Sequence, residues 1–390
     1  MQENKNKHLN PKEGQLRKGY TTGTCAAAAA KAATLHAFGQ DVKEVVIGTP
    51  KGISLVIDIV ESGQNIEKYF CAVKKDSGDD PDITNGILIY AEVELLDNDN
   101  NDILLDGGKG VGRVTLQGLA CDVGQAAINP VPRKMIKAAV EEVVHQFSYE
   151  GSVKVIISIP RGEELAKRTY NPRLGIEGGL SILGTSGIVE PMSEQALIDT
   201  IKVEIDVRKA GGAEYLVITP GNYGESFLKA NFAEDDFYCV KCSNFIGESL
   251  DYAVEQGLKG ILFVAHIGKL LKVAGGIMNT HSKYADARME IMAAHAARFG
   301  VEPSLIDQIL SSVTADNAYE KIKEYDAELI TKVLDSIMNR IEYHLQSRTH
   351  NTVEIGAIMF SNKHGYLGKT SKVDKILLKL QNRKVETNND

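Results

Sequence analysis

Two histidines stand where proton transfer would be useful. His266 closes the apolar run Phe263-Val-Ala-His-Ile-Gly-Lys269, and His281 lies in Met278-Asn-Thr-His-Ser-Lys-Tyr-Ala-Asp-Ala-Arg288. Imidazole titrates near neutral pH, so His266 and His281 are the candidate catalytic residues. Around them Lys269, Lys272 and Arg288 offer cations that clamp carboxylates. Asn279 and Ser282 add polar groups, and His281 and Ser282 are expected to open a helix over 282–299 with Asp286 one turn on. Lys269, Asn279, Ser282 and Arg288 are therefore candidate substrate-binding residues.

Other stretches offer backbone donors. Gly184-Thr-Ser-Gly187 follows the apolar run 180–183, and Gly221-Asn-Tyr-Gly224 follows 215–219. Small polar loops at the carboxyl ends of parallel strands are where such sheets bind ligands. Gly184, Thr185, Gly187, Gly221, Asn222 and Gly224 are thus the expected cofactor-binding set, lining one pocket of one sheet. Thr21-Thr-Gly-Thr24 precedes five alanines and reads as a helix start. It is either simply capped by its threonines or holds an anion. Gly108-Lys-Gly-Val-Gly-Arg113 is a glycine-rich turn after a strand but before no helix, so it is no dinucleotide fingerprint. Gly108, Gly110 and Arg113 are read as a tight loop beside an acidic ligand, as readily as a structural hairpin. Arg133, at the helix start after Asn129-Pro-Val-Pro, and Arg173, in Asn171-Pro-Arg, are further candidate partners of carboxylates. Cys239-Val-Lys-Cys242 has no second pair and sits on an expected strand, so a zinc or redox role is disfavoured.

These loops need a frame. The chain has 390 residues, 25% charged and 43% hydrophobic, ordinary for a globular protein. Its formal net charge of −8 argues against nucleic acid or an anionic membrane as a partner. No apolar run is long enough to span a bilayer, no signal peptide is evident, and five cysteines stand at irregular spacing. A cytoplasmic protein with free thiols is expected. Alternating and apolar runs predict strands over 53–60, 70–73, 87–96 and 153–159. Helices are predicted over 22–38 and 132–147. Beyond them apolar runs alternate with helices, including 193–209, 246–256, 267–274 and 327–345. The fold class is α/β with two domains. A flexible tail (1–15) precedes a mixed α+β domain (16–170), and a Rossmann-like three-layer α/β/α domain with a largely parallel sheet (171–390) follows.

Taken in order, the motifs are more specific than any one alone. Gly19-Tyr-Thr-Thr-Gly-Thr-Cys-Ala-Ala, Gly107-Gly-Lys-Gly-Val-Gly-Arg, Ala127-Ile-Asn-Pro-Val-Pro-Arg133, Asn171-Pro-Arg-Leu-Gly-Ile, Ser181-Ile-Leu-Gly-Thr-Ser-Gly-Ile-Val and the two histidine segments run from about residue 17 to 370. This set resembles the CbiD family of anaerobic cobalamin biosynthesis. The resemblance implies transfer of the methyl group of S-adenosylmethionine to ring carbon C-1 of a cobalt-containing contracted tetrapyrrole, cobalt-precorrin-5B, giving cobalt-precorrin-6A. The cobalt would belong to the substrate, so no protein metal site is implied. Arg113, Arg133, Arg173, Lys269 and Arg288, with the helix start at Thr21–Thr24, would meet its acidic arms. A homo-oligomer and transient contact with neighbouring pathway enzymes remain open. Two rival classes stay beside this reading. A small-molecule kinase lacks a G-x-x-x-x-G-K-[ST] motif and an obvious acidic pair for magnesium. A non-catalytic tetrapyrrole carrier would bind pigment without turnover.

Overall fold

The computed structural model describes residues 6–11, 14–66, 68–98, 100–232 and 239–387, with side chains to residue 381. The chain forms two compact units, Met1–Glu194 and Gln195–Asp390. The division falls later than the boundary expected near residue 170. Its cause is pairing: Ile176–Glu177 and Gly179–Leu180 join Arg113–Val114 and Gly110–Val111, and Ile188–Val189 joins Gly19–Tyr20.

The N-terminal unit is built on a five-stranded sheet. Its order is Glu61–Asn65, Lys68–Lys74, Leu88–Leu96, Ser152–Ser158, Ile103–Gly107, antiparallel except for the last pair. Alternate residues Ile89, Ala91 and Val93, and Val153, Val155 and Ile157, turn inward, the period-2 pattern of a one-sided core. Helix Thr22–Ala37 packs on this sheet and on helix Pro130–Gln146. Every residue of it from Thr22 to Leu35 is buried. A helix buried on all faces between other elements has no room for large side chains, and alanine keeps high helix propensity while letting backbones approach. The expected flexible tail is not seen in residues 6–11. The Asn6 amide donates to the Val56 carbonyl at 2.8 Å and its oxygen accepts from the Val56 N–H at 2.9 Å. Leu9 joins the core.

The C-terminal unit is three-layered, as expected. Parallel strands run in the order Cys239–Lys241, Tyr215–Thr219, Gly260–His266, Glu354–Ser361, and Gly365–Lys369 adds an antiparallel edge. Strand Gly260–His266 is buried on both faces. Ile261, Phe263 and Ala265 face a core formed with helices Ile246–Glu255, Ile267–Ala274 and Ala327–Arg348, and Leu262 and Val264 face helices Asn222–Phe232 and Val373–Thr387. Helices Asn222–Phe232, Pro303–Leu310, Ala315–Tyr325 and Val373–Thr387 were outside the sequence expectation. The helix predicted over 282–299 begins only at Arg288. Local bonds hold the preceding residues out of it: the Asn279 side chain accepts from His281 N–H, and His281 Nδ1 accepts from Lys283 N–H. Among the described residues no helix is long and apolar enough to cross a membrane.

The alanine helix yields a prediction. Ala29→Leu overfills a site with no exposed surface and should destabilise the protein by roughly 1–3 kcal/mol. Thermal unfolding reads this as a lowered Tm, and an unchanged Tm would contradict the packing account.

Candidate active site

The C-terminal sheet sets the site. Tyr215–Thr219 neighbours both Cys239–Lys241 and Gly260–His266. The chain leaves it in one direction and returns on its other side, a topological switch point. A cleft of about 510 Å³ opens at the carboxyl ends of these strands. Tyr223 comes from the segment after Tyr215–Thr219, Asn244 from that after Cys239–Lys241, and Asn362 from that after Glu354–Ser361. His266 is the last residue of its strand and the N-cap of helix Ile267–Ala274.

The cap fixes the chemistry of His266. Its Nδ1 accepts the Gly268 N–H at 3.2 Å. A nitrogen that accepts from a backbone N–H carries a lone pair, so the neutral ring is protonated at Nε2. Nε2 lies 3.6 Å from Asp316 Oδ2, and the other Asp316 oxygen accepts from the Ser361 hydroxyl. Burial lowers the His266 pKa below its ordinary value, and Asp316 opposes that shift. The ring is therefore neutral near pH 7 and acts there as a hydrogen-bond donor. A general-base role would require it to give up the cap. His281 is held in the same way, its Nδ1 accepting from Lys283 N–H at 3.1 Å.

The cations stand close together. Lys269 Nζ donates to the Asn244 side chain. Burial lowers its pKa, with further repulsion from Lys272 and Arg288. Lys272 is almost wholly buried and donates to the Thr280 and Ala285 carbonyls at 3.1 and 2.8 Å. It thereby pins the 280–285 segment across the mouth of the cleft. Arg288 makes a two-pronged pair with Asp286, both contacts 2.7 Å, which holds that carboxyl below the usual range. Three cations against the single lining carboxylate of Asp286 leave the cleft positive, although the chain as a whole is acidic. Such a site favours an acidic ligand.

The cleft thus brings together His266, His281, Lys269, Ser282 and Arg288 from the expected set. Asn279 lies just behind, bridged to Phe245. In the 221–224 loop it is Tyr223 that lines the cleft. Gly221 N–H is taken by Thr219 Oγ1, Asn222 pairs with Lys241, and Gly224 packs on Thr219. Sequence reading overlooked Tyr223, Asn244, Thr280, Asp316 and Asn362. Asn244 and Asn362 carried a usable signal, since each follows the end of a parallel strand.

The remaining candidates belong to the N-terminal unit, where groups of the protein itself take up most of their bonds. Gly184, Thr185 and Gly187 do not follow a strand of the parallel sheet, to which the loop of Gly221, Asn222 and Gly224 belongs. They seat the start of the alanine helix instead. Gly23 N–H donates to the Leu183 carbonyl at 3.0 Å, and Thr24 Oγ1 donates to the Gly187 carbonyl at 2.7 Å. Thr22 Oγ1 accepts from Leu183 N–H, and Thr21 Oγ1 accepts from Thr24 N–H. A side chain at Gly184, whose φ is +132°, would strike Thr21 Oγ1 at 2.4 Å. The helix start at Thr21–Thr24 is thus capped by protein and not open to an anion. Gly108 and Gly110 lie in a turn against strand Ser152–Ser158 and the loop after it, and a Cβ on Gly110 (φ +74°) would meet the Ile159 carbonyl at 1.9 Å. Arg113 is committed to Asp106 by two 2.8 Å bonds. Arg133 donates to the Ile128 and Ala126 carbonyls. Arg173 is half-buried in the turn Asn171–Leu174. Cys239 and Cys242 are buried and form no disulfide, and burial pushes the Cys242 thiol up, away from reactivity.

Fold and site together define a two-unit mixed α/β protein with a cationic cleft at the carboxyl edge of a parallel sheet. The chain belongs to the CbiD family: the CbiD family model matches residues 9–191, and that of the CbiD C-terminal domain matches residues 279–371. A relative from Ruminiclostridium cellulolyticum, named cobalt-precorrin-5B C(1)-methyltransferase, is 50% identical over 89% of this chain and 90% of its own. One of the same name from Citrobacter koseri is 40% identical over 94% of this chain and 96% of its own. A crystal structure of a cobalamin biosynthesis protein (cbiD) from Archaeoglobus fulgidus is 29% identical, covering 70% of this chain and 84% of that one at a TM-score of 0.38.

The His266 arrangement gives a pH prediction. A histidine whose folded pKa lies below its unfolded value contributes no pH dependence above about 6.5, and protonation favours the unfolded chain as pH falls below that. His295 and His344 are lowered as well and add to this loss. His266→Asn keeps a capping side chain but removes one titrating ring. Its Tm should therefore fall less than that of the unsubstituted protein between pH 7 and pH 5. Equal falls would contradict a neutral, capping His266.

Proposed function

We infer that this chain is a C-methyltransferase that uses S-adenosylmethionine to methylate C-1 of cobalt-precorrin-5B, giving cobalt-precorrin-6A in the cytoplasm. The observation that carries the reading is the shared name of relatives aligned over about nine-tenths of both chains. The cleft of the C-terminal unit is its reaction site, on the support of its place at the switch point and its positive lining.

The donor set suits both reactants. An amino-acid nucleoside needs a flat surface, amide groups and a carboxylate partner, and Tyr223, Asn244, Asn362 and Lys269 supply these in kind. When bound, S-adenosylmethionine supplies an electrophilic methyl group: a ring-carbon electron pair forms the new C–C bond while the C–S pair departs on sulfur as a neutral thioether. The residues of the chain align the two partners, and alignment of this kind contributes ~7–11 kcal/mol to the barrier reduction. Arg288, set by Asp286, holds a carboxylate arm of the pigment, and Lys269, set by Asn244, holds the carboxylate of the nucleoside. Lys272 keeps the 280–286 segment in place, so that His281 and Ser282 stay at the mouth. His266 anchors the helix that carries Lys269 and points its Nε2–H toward Asp316. No covalent enzyme intermediate is required.

The test is anaerobic incubation with cobalt-precorrin-5B and methyl-labelled S-adenosylmethionine, followed by mass spectrometry and NMR of the pigment. One labelled methyl at C-1 is expected. Bound but unlabelled pigment would replace the reading with a carrier. Lys269→Met should lower kcat/KM about tenfold or more, the effect of losing one charge-assisted contact. Unchanged kcat/KM would move the reaction site away from this cleft.

A further inference from the structure

A second cavity, of about 440 Å³, lies wholly within the N-terminal unit and has no part in the methyl-transfer cleft. Its floor is apolar. Ile83, Leu88 and Tyr90, half-buried, and Pro160, exposed, form it over Ile87, Ile159 and Leu165, which are almost fully buried behind them. Its rim carries two exposed guanidinium groups, Arg161 and Arg168. Arg161 makes an exposed two-pronged contact with Glu164, at 3.4 and 3.3 Å. The Arg168 side chain has no hydrogen-bond or ion-pair partner among the described residues. Arg168 differs in this from the cations of the C-terminal cleft, each already held by an amide, a carbonyl or Asp286.

The glycine-rich turn has a place here. Gly110 presses on the Ile159 carbonyl and on Gly162, so close that neither glycine could carry a side chain. That contact sets the loop 159–162, which forms one wall of the cavity and carries Arg161. The turn thus supports a cavity without touching a ligand itself.

We propose that this cavity binds a carboxylated, flat, apolar pigment of the tetrapyrrole class, its ring edge on the surface of Ile83, Leu88, Tyr90 and Pro160 and its carboxylate arms on Arg168 and on Arg161, which exchanges Glu164 for the ligand. The ligand class rests on the function proposed above. The match is one of chemistry: an apolar floor excludes small hydrophilic anions, and paired guanidinium groups recognise carboxylates in two-pronged geometry.

The probe is coproporphyrin, an apolar macrocycle with four propionate arms, titrated by fluorescence into the full-length protein. Arg161→Gln combined with Arg168→Gln should weaken its binding at one site at least about tenfold. Tm and the affinity for S-adenosylhomocysteine should not change. Arg161→Lys combined with Arg168→Lys should retain part of the binding that the glutamine pair loses, and Lys269→Met should leave this site intact. Citrate, which has carboxylates but no apolar body, should not compete. Unaltered binding in the double glutamine variant, absence of binding in the unsubstituted protein, or competition by citrate would each overturn the proposal. The methylation assay separates the two claims. Turnover without arginine-dependent porphyrin binding sinks this site alone, and arginine-dependent binding without turnover sinks the proposed reaction alone.

Discussion

Strand Gly260–His266 passes into helix Ile267–Ala274 without a connecting loop, and one side chain makes that junction possible. His266 is still extended, its Nδ1 already takes the Gly268 N–H, and its other nitrogen faces Asp316. The strand behind it is buried on both faces and cannot shift without opening two cores. The helix ahead carries Lys269 and Lys272 on successive turns. The positions of Lys269 and Lys272 therefore depend on where this strand ends. The chemistry follows from the same constraint, because a histidine used as a cap is a poor base. A cleft built in this way is better suited to holding reactants in line than to moving protons, which is what the proposed methyl transfer demands.

Electrostatics in the cleft are shaped by burial more than by charge number. Lys269 and Lys272 lose hydration, and both are pushed toward the neutral form. What keeps such groups in place is the hydrogen bonding around them: Asn244 for Lys269, two backbone carbonyls for Lys272. An acidic ligand would restore the favourable environment of the charged form, so ligand binding and retention of charge reinforce one another. Arg288 takes no part in this compromise, because its guanidinium stays charged beside Asp286.

The layered parallel sheet was readable from the alternation of apolar runs and helices, and the His266-to-Arg288 region from its concentration of titratable and small residues. The limits of that reading are instructive. Thr21–Thr24 and Gly184–Gly187 each looked like ligand loops because threonine and glycine have two uses, offering donors to a ligand or to distant backbone. Only the three-dimensional pairing of Thr22 with Leu183 and Thr24 with Gly187, more than 160 residues apart, decides between them. Arg113 and Arg133 were indistinguishable in sequence from Arg288, since nothing local says whether a guanidinium will find Asp106, a carbonyl or a substrate. The helix at Arg288 began later than its periodicity suggests because Asn279 and His281 satisfy the local backbone in a non-helical way. Asp316 was invisible, as it reaches the site from a separate helix whose partner lies 50 residues earlier in the chain.

The central claim is that ligands engage the carboxyl edge of the C-terminal sheet, whereas the threonine–glycine junction of the N-terminal unit serves only to hold the alanine helix. Hydrogen–deuterium exchange of the full chain, alone and with S-adenosylhomocysteine under anaerobic conditions, tests it most directly. Slowed exchange is predicted in 220–224, 242–246 and 266–288, with none at 21–25 or 183–187. Protection concentrated at 21–25 and 183–187, with the C-terminal loops unaffected, would contradict the account.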